Sequence, residues 1–249
     1  MIREKNASLA VIIPAYNENK GILKCIRAVM AELRTIRIKS TLIIVNDGST
    51  DTTLDVLTKA KKMYRQTLHV VSYTRNKGYG LAIAAGIRAA IKDNYTYALI
   101  MDSDLTNNPK YIPLFLKKIQ NGYDCVKGSR YIRGGSAKTV PIKRRLPSLA
   151  GNIFARIFFR LGIHDYTNGF RIVKLAKLKN VRYKEPGFAH ILEEVYYLKK
   201  NGGNFAEIPI TLTVRKSGKS KFKYSLATFI SYSKYPMRIC IDNIYGKHN

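Results

Sequence analysis

Leu9-Ala10-Val11-Ile12-Ile13-Pro14-Ala15-Tyr16-Asn17-Glu18 decides how the rest of the chain is read. Five apolar residues in a row, three of them β-branched, make a strand buried on both faces; the run then meets a proline and turns polar. The pattern recurs. Residues 42–45, 68–71 and 98–101 are further short apolar runs, and residues 20–33, 52–63 and 79–91 between them carry helical periodicity. Strand–helix–strand alternation predicts an α/β fold with a mostly parallel sheet flanked by helices and joined by right-handed crossovers. A helix over 109–120 and a strand over 123–126 continue it.

Farther along, residues 127–145 are rich in glycine and basic residues and read as a long functional loop. In 146–161, Leu146, Leu149, Ile153, Phe154, Ile157, Phe158 and Leu161 recur at helical spacing, with Arg156 and Arg160 on another face. That is the pattern of an amphipathic helix at a membrane interface, or of a core helix with a basic wet side. A helix follows Gly187 and runs to Lys200, then strand-like 205–210 and 211–214. A basic loop, 215–223, leads to a last apolar helix over 224–241, interrupted near Pro236. The reading divides the chain into a domain over 1–210 and a basic loop with an amphipathic C-terminal segment over 211–249.

The composition suits a folded protein. The 249 residues are 46% hydrophobic and 24% charged, which excludes disordered and collagenous classes. No apolar run reaches the roughly 20 residues that span a bilayer, and no signal peptide is visible at Met1-Ile2-Arg3-Glu4-Lys5. Cys25, Cys125 and Cys240 are far apart and read as reduced thiols of a cytosolic protein. The net charge is +28, unevenly spread. Lys127, Arg130, Arg133, Lys138, Lys143, Arg144, Arg145, Arg156 and Arg160 lie between Asp124 and Asp165 with no acid among them. Arg215, Lys216, Lys219, Lys221, Lys223, Lys234 and Arg238 form a second such stretch between Glu207 and Asp242. Nucleic acid, an anionic membrane surface and phosphorylated substrates all fit that charge, as does a solvated basic face.

Ligands of an open parallel sheet sit beyond the carboxyl ends of the strands. Five of the sixteen acids, Glu18, Asp47, Asp51, Asp102 and Asp104, fall at three such ends. Carboxylates gathered there are costly unless they hold a cation or hydrogen-bond a ligand. Asp102-Ser103-Asp104 offers two hard oxygen ligands on one tight loop, suited to Mg²⁺ or Mn²⁺ with a substrate diphosphate. A dinucleotide site is excluded on spacing: Gly78-Tyr79-Gly80 is followed by Gly86 and comes after the third strand.

Val11–Glu18 with Val45-Asn46-Asp47-Gly48-Ser49-Thr50-Asp51, then Asn76-Lys77-Gly78-Tyr79-Gly80 and Asp102-Ser103-Asp104-Leu105, resemble glycosyltransferase family 2. Gly128-Ser129-Arg130-Tyr131, Gly134-Gly135, Arg144 with Ser148 and Asn152, Asp165-Tyr166-Thr167-Asn168-Gly169-Phe170-Arg171, Glu193, and Arg215 to Lys221 are similar to the dolichyl-phosphate mannose synthases within it. The likeness covers about 9–225. It implies a GT-A fold, Rossmann-like, with C-terminal amphipathic helices facing a membrane. By that resemblance Pro14, Tyr16, Glu18 and Asp47 hold the donor nucleotide, and Asp102 and Asp104 hold the metal. Arg130, Arg144, Arg215 and Lys221 grip phosphates, and Asp104, Arg130 and Arg144 take part in catalysis. His164 reads as structural. Of Glu193 and Glu194, at most one faces the site and the other is solvated.

Two departures stand out. The acidic pair before Gly-Ser is Asn46-Asp47 here, and Thr106 occupies a position where Gln or Ser is common. The absence of Trp excludes the QxxRW signature of processive polysaccharide synthases. The expected activity is inverting transfer of a hexose, mannose from GDP-mannose, onto a polyprenyl or dolichyl phosphate at the cytosolic face of a membrane. A partner membrane subunit is compatible with this. A UDP-sugar such as UDP-glucose is the alternative donor. A basic nucleic-acid-binding protein is the alternative class; it explains the charge but not the acids at three strand ends.

Overall fold

The computed structural model describes residues 7–213 and 226–245. Seven strands form one sheet in the order β3-β2-β1-β4-β6-β5-β7. They are β1 (Ser8–Ala15), β2 (Lys39–Asp47), β3 (Leu68–Tyr73), β4 (Tyr97–Ile100), β5 (Cys125–Ser129), β6 (Arg171–Lys174) and β7 (Phe205–Pro209). The helices are α1 (Ile22–Leu33), α2 (Thr53–Met63), α3 (Tyr79–Lys92), α4 (Ile112–Ile119), α5 (Ile142–Phe159), α6 (His190–Lys200) and α7 (Leu226–Tyr245).

The parallel half forms as the apolar runs predict. β1 is flanked by β2 and β4 in parallel register, with Ile13 opposite Ile44 and Ile12 opposite Ile100. Its core residues are fully buried because α1 and α2 cover one face and α3 the other. The sheet is mixed, however. β6 was not read from the sequence, and it runs antiparallel to both β4 and β5. The strand expected over 211–214 reduces, among the described residues, to a single bridge between Ser136 and Thr211.

The last two helices depart from expectation in detail. α5 starts at Ile142, earlier than the apolar stripe suggested, and contains Pro147. α7 runs through Pro236 without interruption. A proline there removes one helical hydrogen bond, and the surrounding turns hold because Tyr235 and Ile239 are buried against α6 and α5. On the opposite side both helices stay bare. Ile142, Leu146, Leu149, Ile153 and Ile157 of α5 and Phe229, Ile230, Met237 and Ile241 of α7 are exposed. Phe154 joins the pair, 4.6 Å from the Phe158 ring and 6.3 Å from Phe229. None of the described helices is long and apolar enough to cross a membrane.

Candidate active site

Parallel register brings three polar strand ends to one edge of the sheet. Pro14 near the end of β1, Tyr16 and Glu18 just after it, Asp47 at the end of β2, and Asp102, Ser103 and Asp104 after β4 line one cavity of about 690 Å³. All six residues expected to hold nucleotide or metal therefore lie together. Asp51 is the exception: its carboxylate accepts hydrogen bonds from the Thr53 amide and hydroxyl at the start of α2, and so serves the helix.

Each carboxylate is held by its neighbours. Asp47 accepts the amides of Lys77 (2.8 Å) and Gly78 (2.9 Å), which pins the loop entering α3 against the cavity. Asn46 does different work. Its amide donates to the Ser72 hydroxyl at 2.8 Å, and its Oδ1 accepts the Ser49 amide, so this position shapes the loop and needs no charge. Asp104 accepts the Thr106 amide (2.9 Å) and hydroxyl (2.7 Å) and is 6% exposed, less open than a surface loop. The Tyr79 hydroxyl hydrogen-bonds Asp102.

The donor set fits a hard divalent cation. Burial, and then the charges of Asp104, Glu18 and Asp102, push the thiol of Cys25 far above its ordinary range, so three carboxylates project negative potential into one place. Among the described residues no group of three or more His, Cys, Asp or Glu side chains could hold a metal. Two carboxylates alone suit an ion that completes its shell with diphosphate oxygens and water.

A second cavity, of about 610 Å³, shares Tyr79, Asp102, Thr106, Phe188 and Leu212 with the first. It continues past Asn107, Arg130, Ser148 and Thr167 to Pro147, Gly151, Phe229 and Tyr232, between α5 and α7. The Tyr79 and Phe188 rings, stacked 4.4 Å apart, stand between the two spaces. Sequence reading passed over this wall and the Pro186-Gly187-Phe188 segment beside it. The only signal for it was the pair of glycines flanking Tyr79.

The basic residues divide. Arg130 reaches the second cavity, but its Nε and Nη2 are spent on Asp165, at 2.6 and 2.7 Å, and Nη2 also meets Ser148 and Thr167. Burial would raise the Asp165 carboxyl; the Arg130 guanidinium outweighs it and holds the group below the usual carboxylate range. The backbone of Arg144 lies in the first turn of an α5 that begins at Ile142, and its side chain lies outside what is described, as do Arg215 and Lys221 entirely.

The segment Asp165 to Arg171 is a buried scaffold under this cavity. Asn168 donates to the Gly128 carbonyl at 2.7 Å, and Lys127 Nζ donates to the Asn168 carbonyl at 2.9 Å. Burial and then Arg171 bring the Lys127 ammonium down to about 8. A Cβ on Gly169 would lie 2.8 Å from the Tyr79 hydroxyl and would push that side chain from its place. Glu193 and Glu194 are both fully buried, contrary to the expectation that one is solvated. Glu194 pairs with Arg171 through both carboxylate oxygens, while Glu193 accepts the amides of Lys184 (2.8 Å) and Glu185 (3.0 Å). His164 meets Glu207 at 2.9 Å, away from either cavity, as a structural residue would.

Residues 10–182 match the model of glycosyl transferase family 2. A polyprenol monophosphomannose synthase of Mycolicibacterium smegmatis is 29% identical over 218 residues, covering 86% of this chain and 81% of that protein. A dolichol-phosphate mannosyltransferase of Pyrococcus furiosus is 28% identical over 233 residues, 93% of this chain but 63% of its own length. Among solved structures, the glucosyl-3-phosphoglycerate synthase of Mycobacterium tuberculosis with Mn²⁺ and UDP-glucose gives a TM-score of 0.62 at 20% identity, over 95% of this chain and 78% of that one. The same enzyme with Mn²⁺, UDP and phosphoglyceric acid gives 0.61 at 20% identity, over 95% and 78%. At that identity the likeness establishes the GT-A-like fold.

Proposed function

The chain belongs to glycosyl transferase family 2, and from that membership we propose that this glycosyltransferase moves a hexose, mannose from GDP-mannose, onto a polyprenyl phosphate at a membrane surface. The observation that carries the reading is the pair of adjoining cavities: an acidic one at the strand ends and an apolar one opening between α5 and α7, with Asp102 and Thr106 on both. The names of the two curated relatives support the acceptor and the sugar.

The first cavity takes the nucleotide sugar. Pro14, Tyr16 and Glu18 face the base and ribose, and Asp47 fixes the Lys77–Gly78 backbone beside them. A divalent cation, Mg²⁺ or Mn²⁺, held by Asp102 and Asp104 would neutralise the leaving diphosphate. The sugar C1 then lies where the two cavities meet. A lipid monophosphate has a second pKa of about 6 and is mostly dianionic at neutral pH, so its oxygen attacks C1 without surrendering a proton. The chain needs no general base; it must orient two phosphates in line and balance their charge. Arg130 at the second cavity serves this, together with Arg144, Arg215 and Lys221. Attack from the face opposite the diphosphate inverts the anomeric centre.

The lipid tail explains the bare apolar stripe. Each CH₂ drawn from a bilayer into water costs about 0.8 kcal/mol, so the enzyme must come to the surface. Exposed Leu146, Ile153, Ile157, Phe229 and Ile241 offer insertion, and the neighbouring basic residues add roughly 1 kcal/mol each near anionic lipid. Free thiols and a nucleotide-sugar donor fit the cytosolic face. The deciding assay incubates the protein with a panel of GDP- and UDP-sugars, Mn²⁺ or Mg²⁺, and a short polyprenyl phosphate. Extractable mannolipid from GDP-mannose supports the reading; product only from a UDP-sugar transfers the donor assignment; no lipid product with any sugar ends it.

A further inference from the structure

α7 reaches the segment that walls the donor cavity through the Glu185 carboxylate. Glu185 lies in the irregular segment before α6 and is 9% exposed. Its Oε1 accepts a hydrogen bond from Lys234 Nζ at 2.7 Å and another from the Tyr235 hydroxyl at 3.0 Å, both donors on α7. The three residues that follow it, Pro186, Gly187 and Phe188, form one wall of the donor cavity. That wall stands hard against the start of α3. The Pro186 carbonyl accepts the Gly80 amide at 2.8 Å, and a Cβ on Gly80 would fall 2.1 Å from the Glu185 carbonyl oxygen. Phe188 stacks on Tyr79, whose hydroxyl reaches Asp102. From the apolar helix to the acidic strand end, each contact is therefore direct.

A surface ion pair is ordinarily worth little, but this one differs in position. The Glu185 carboxylate is largely screened from water, and its backbone amide is already fixed by Glu193 at 3.0 Å. Side chain and main chain are thus tied to different helices, α7 and α6, with the cavity wall hanging from the junction. We propose that Glu185 is a positioning residue through which α7 fixes the 186–188 wall, so that the seating of α7 sets the affinity of the donor cavity for nucleotide. This rests on the reading of that cavity as the donor site.

Calorimetry on the full chain with GDP and with UDP, each in the presence of Mn²⁺, tests it. Glu185→Ala and Lys234→Met should each weaken nucleotide binding by about fivefold or more, within the usual span of coupled sites, while the thermal transition stays cooperative. The exchanged pair Glu185→Lys with Lys234→Glu should regain most of the loss, which a general packing defect would not. Unchanged affinity in both single variants, or an exchanged pair as weak as its parents, overturns the proposal. If the unmodified protein binds neither nucleotide, the donor-site reading falls, and the positioning role with it. A vesicle sedimentation run on Lys234→Met separates this from membrane attachment: full vesicle binding with weakened nucleotide binding supports positioning, and loss of both in equal measure overturns it.

Discussion

Arg130 and Asp165 face each other across two short hydrogen bonds, Nε to Oδ2 at 2.6 Å and Nη2 to Oδ1 at 2.7 Å, with the carboxylate fully buried. An arginine at the rim of a cavity is thereby also a structural strut. Removing one partner of a buried pair strands the other charge and costs about 3–5 kcal/mol.

Asp165→Asn should therefore lower the melting temperature clearly, and Arg130→Ala should lose stability as well as transfer. The pH dependence has a definite sign. The folded Asp165 carboxyl titrates below its unfolded value, so its contribution is complete above the unfolded pKa and vanishes as pH falls through the folded one. Urea midpoints of the two proteins should differ at pH 7 and converge in acid; a constant gap would refute the assignment.

Lys127 acts with the same sign in the alkaline range. Its ammonium titrates at about 8 in the folded chain, against 10.5 ordinarily. Between those values the unfolded chain binds more protons, so this residue makes stability rise with pH. Lys127→Met should lack that rise. The gap between the two proteins, followed by chemical denaturation from pH 7 to 10, should change in the direction of relative gain for the unmodified protein.

Asp104→Asn keeps an oxygen for Thr106 and should fold normally. It should nonetheless bind Mn²⁺ far more weakly by electron paramagnetic resonance and lose turnover by orders of magnitude. Full activity in excess EDTA would remove the metal from the mechanism.

Ile153 and Ile157 are 55% and 58% exposed, whereas Phe159 is buried. Ile153→Asp and Ile157→Asp should melt like the parent yet bind anionic liposomes poorly. Phe159→Asp should fail to fold cooperatively. Phe154 and Phe158, half-buried and in ring contact, would give a mixed result and are poorer probes.

What the sequence discloses depends on how local the cause is. β1, β2 and β4 are legible because burial on both faces demands continuous apolar runs, and the residues after them face ligand by the logic of a parallel sheet. β6 escaped because it is four residues long and carries Arg171 and Lys174 at its ends. The buried charge of Arg171 is balanced by Glu194, a partner 23 positions away. That separation hid Glu194, and the Lys184 and Glu185 amides that hold Glu193 lie outside its helix, so that one of the two looked solvated on a helix viewed alone. The 186–188 wall has no periodicity at all; it is held by contact with Tyr79 and Gly80, more than a hundred positions away.

The apolar stripe on α5 and α7 also governs how the molecule meets its own copies. At low ionic strength a charge of +28 keeps them apart. Added salt shortens the reach of that repulsion to about 10 Å at 0.1 M and leaves Ile153, Ile157, Phe229 and Ile241 as exposed as before. Salt, the usual remedy for a sticky basic protein, would here drive self-association, while a mild detergent that covers the stripe would keep the enzyme dispersed.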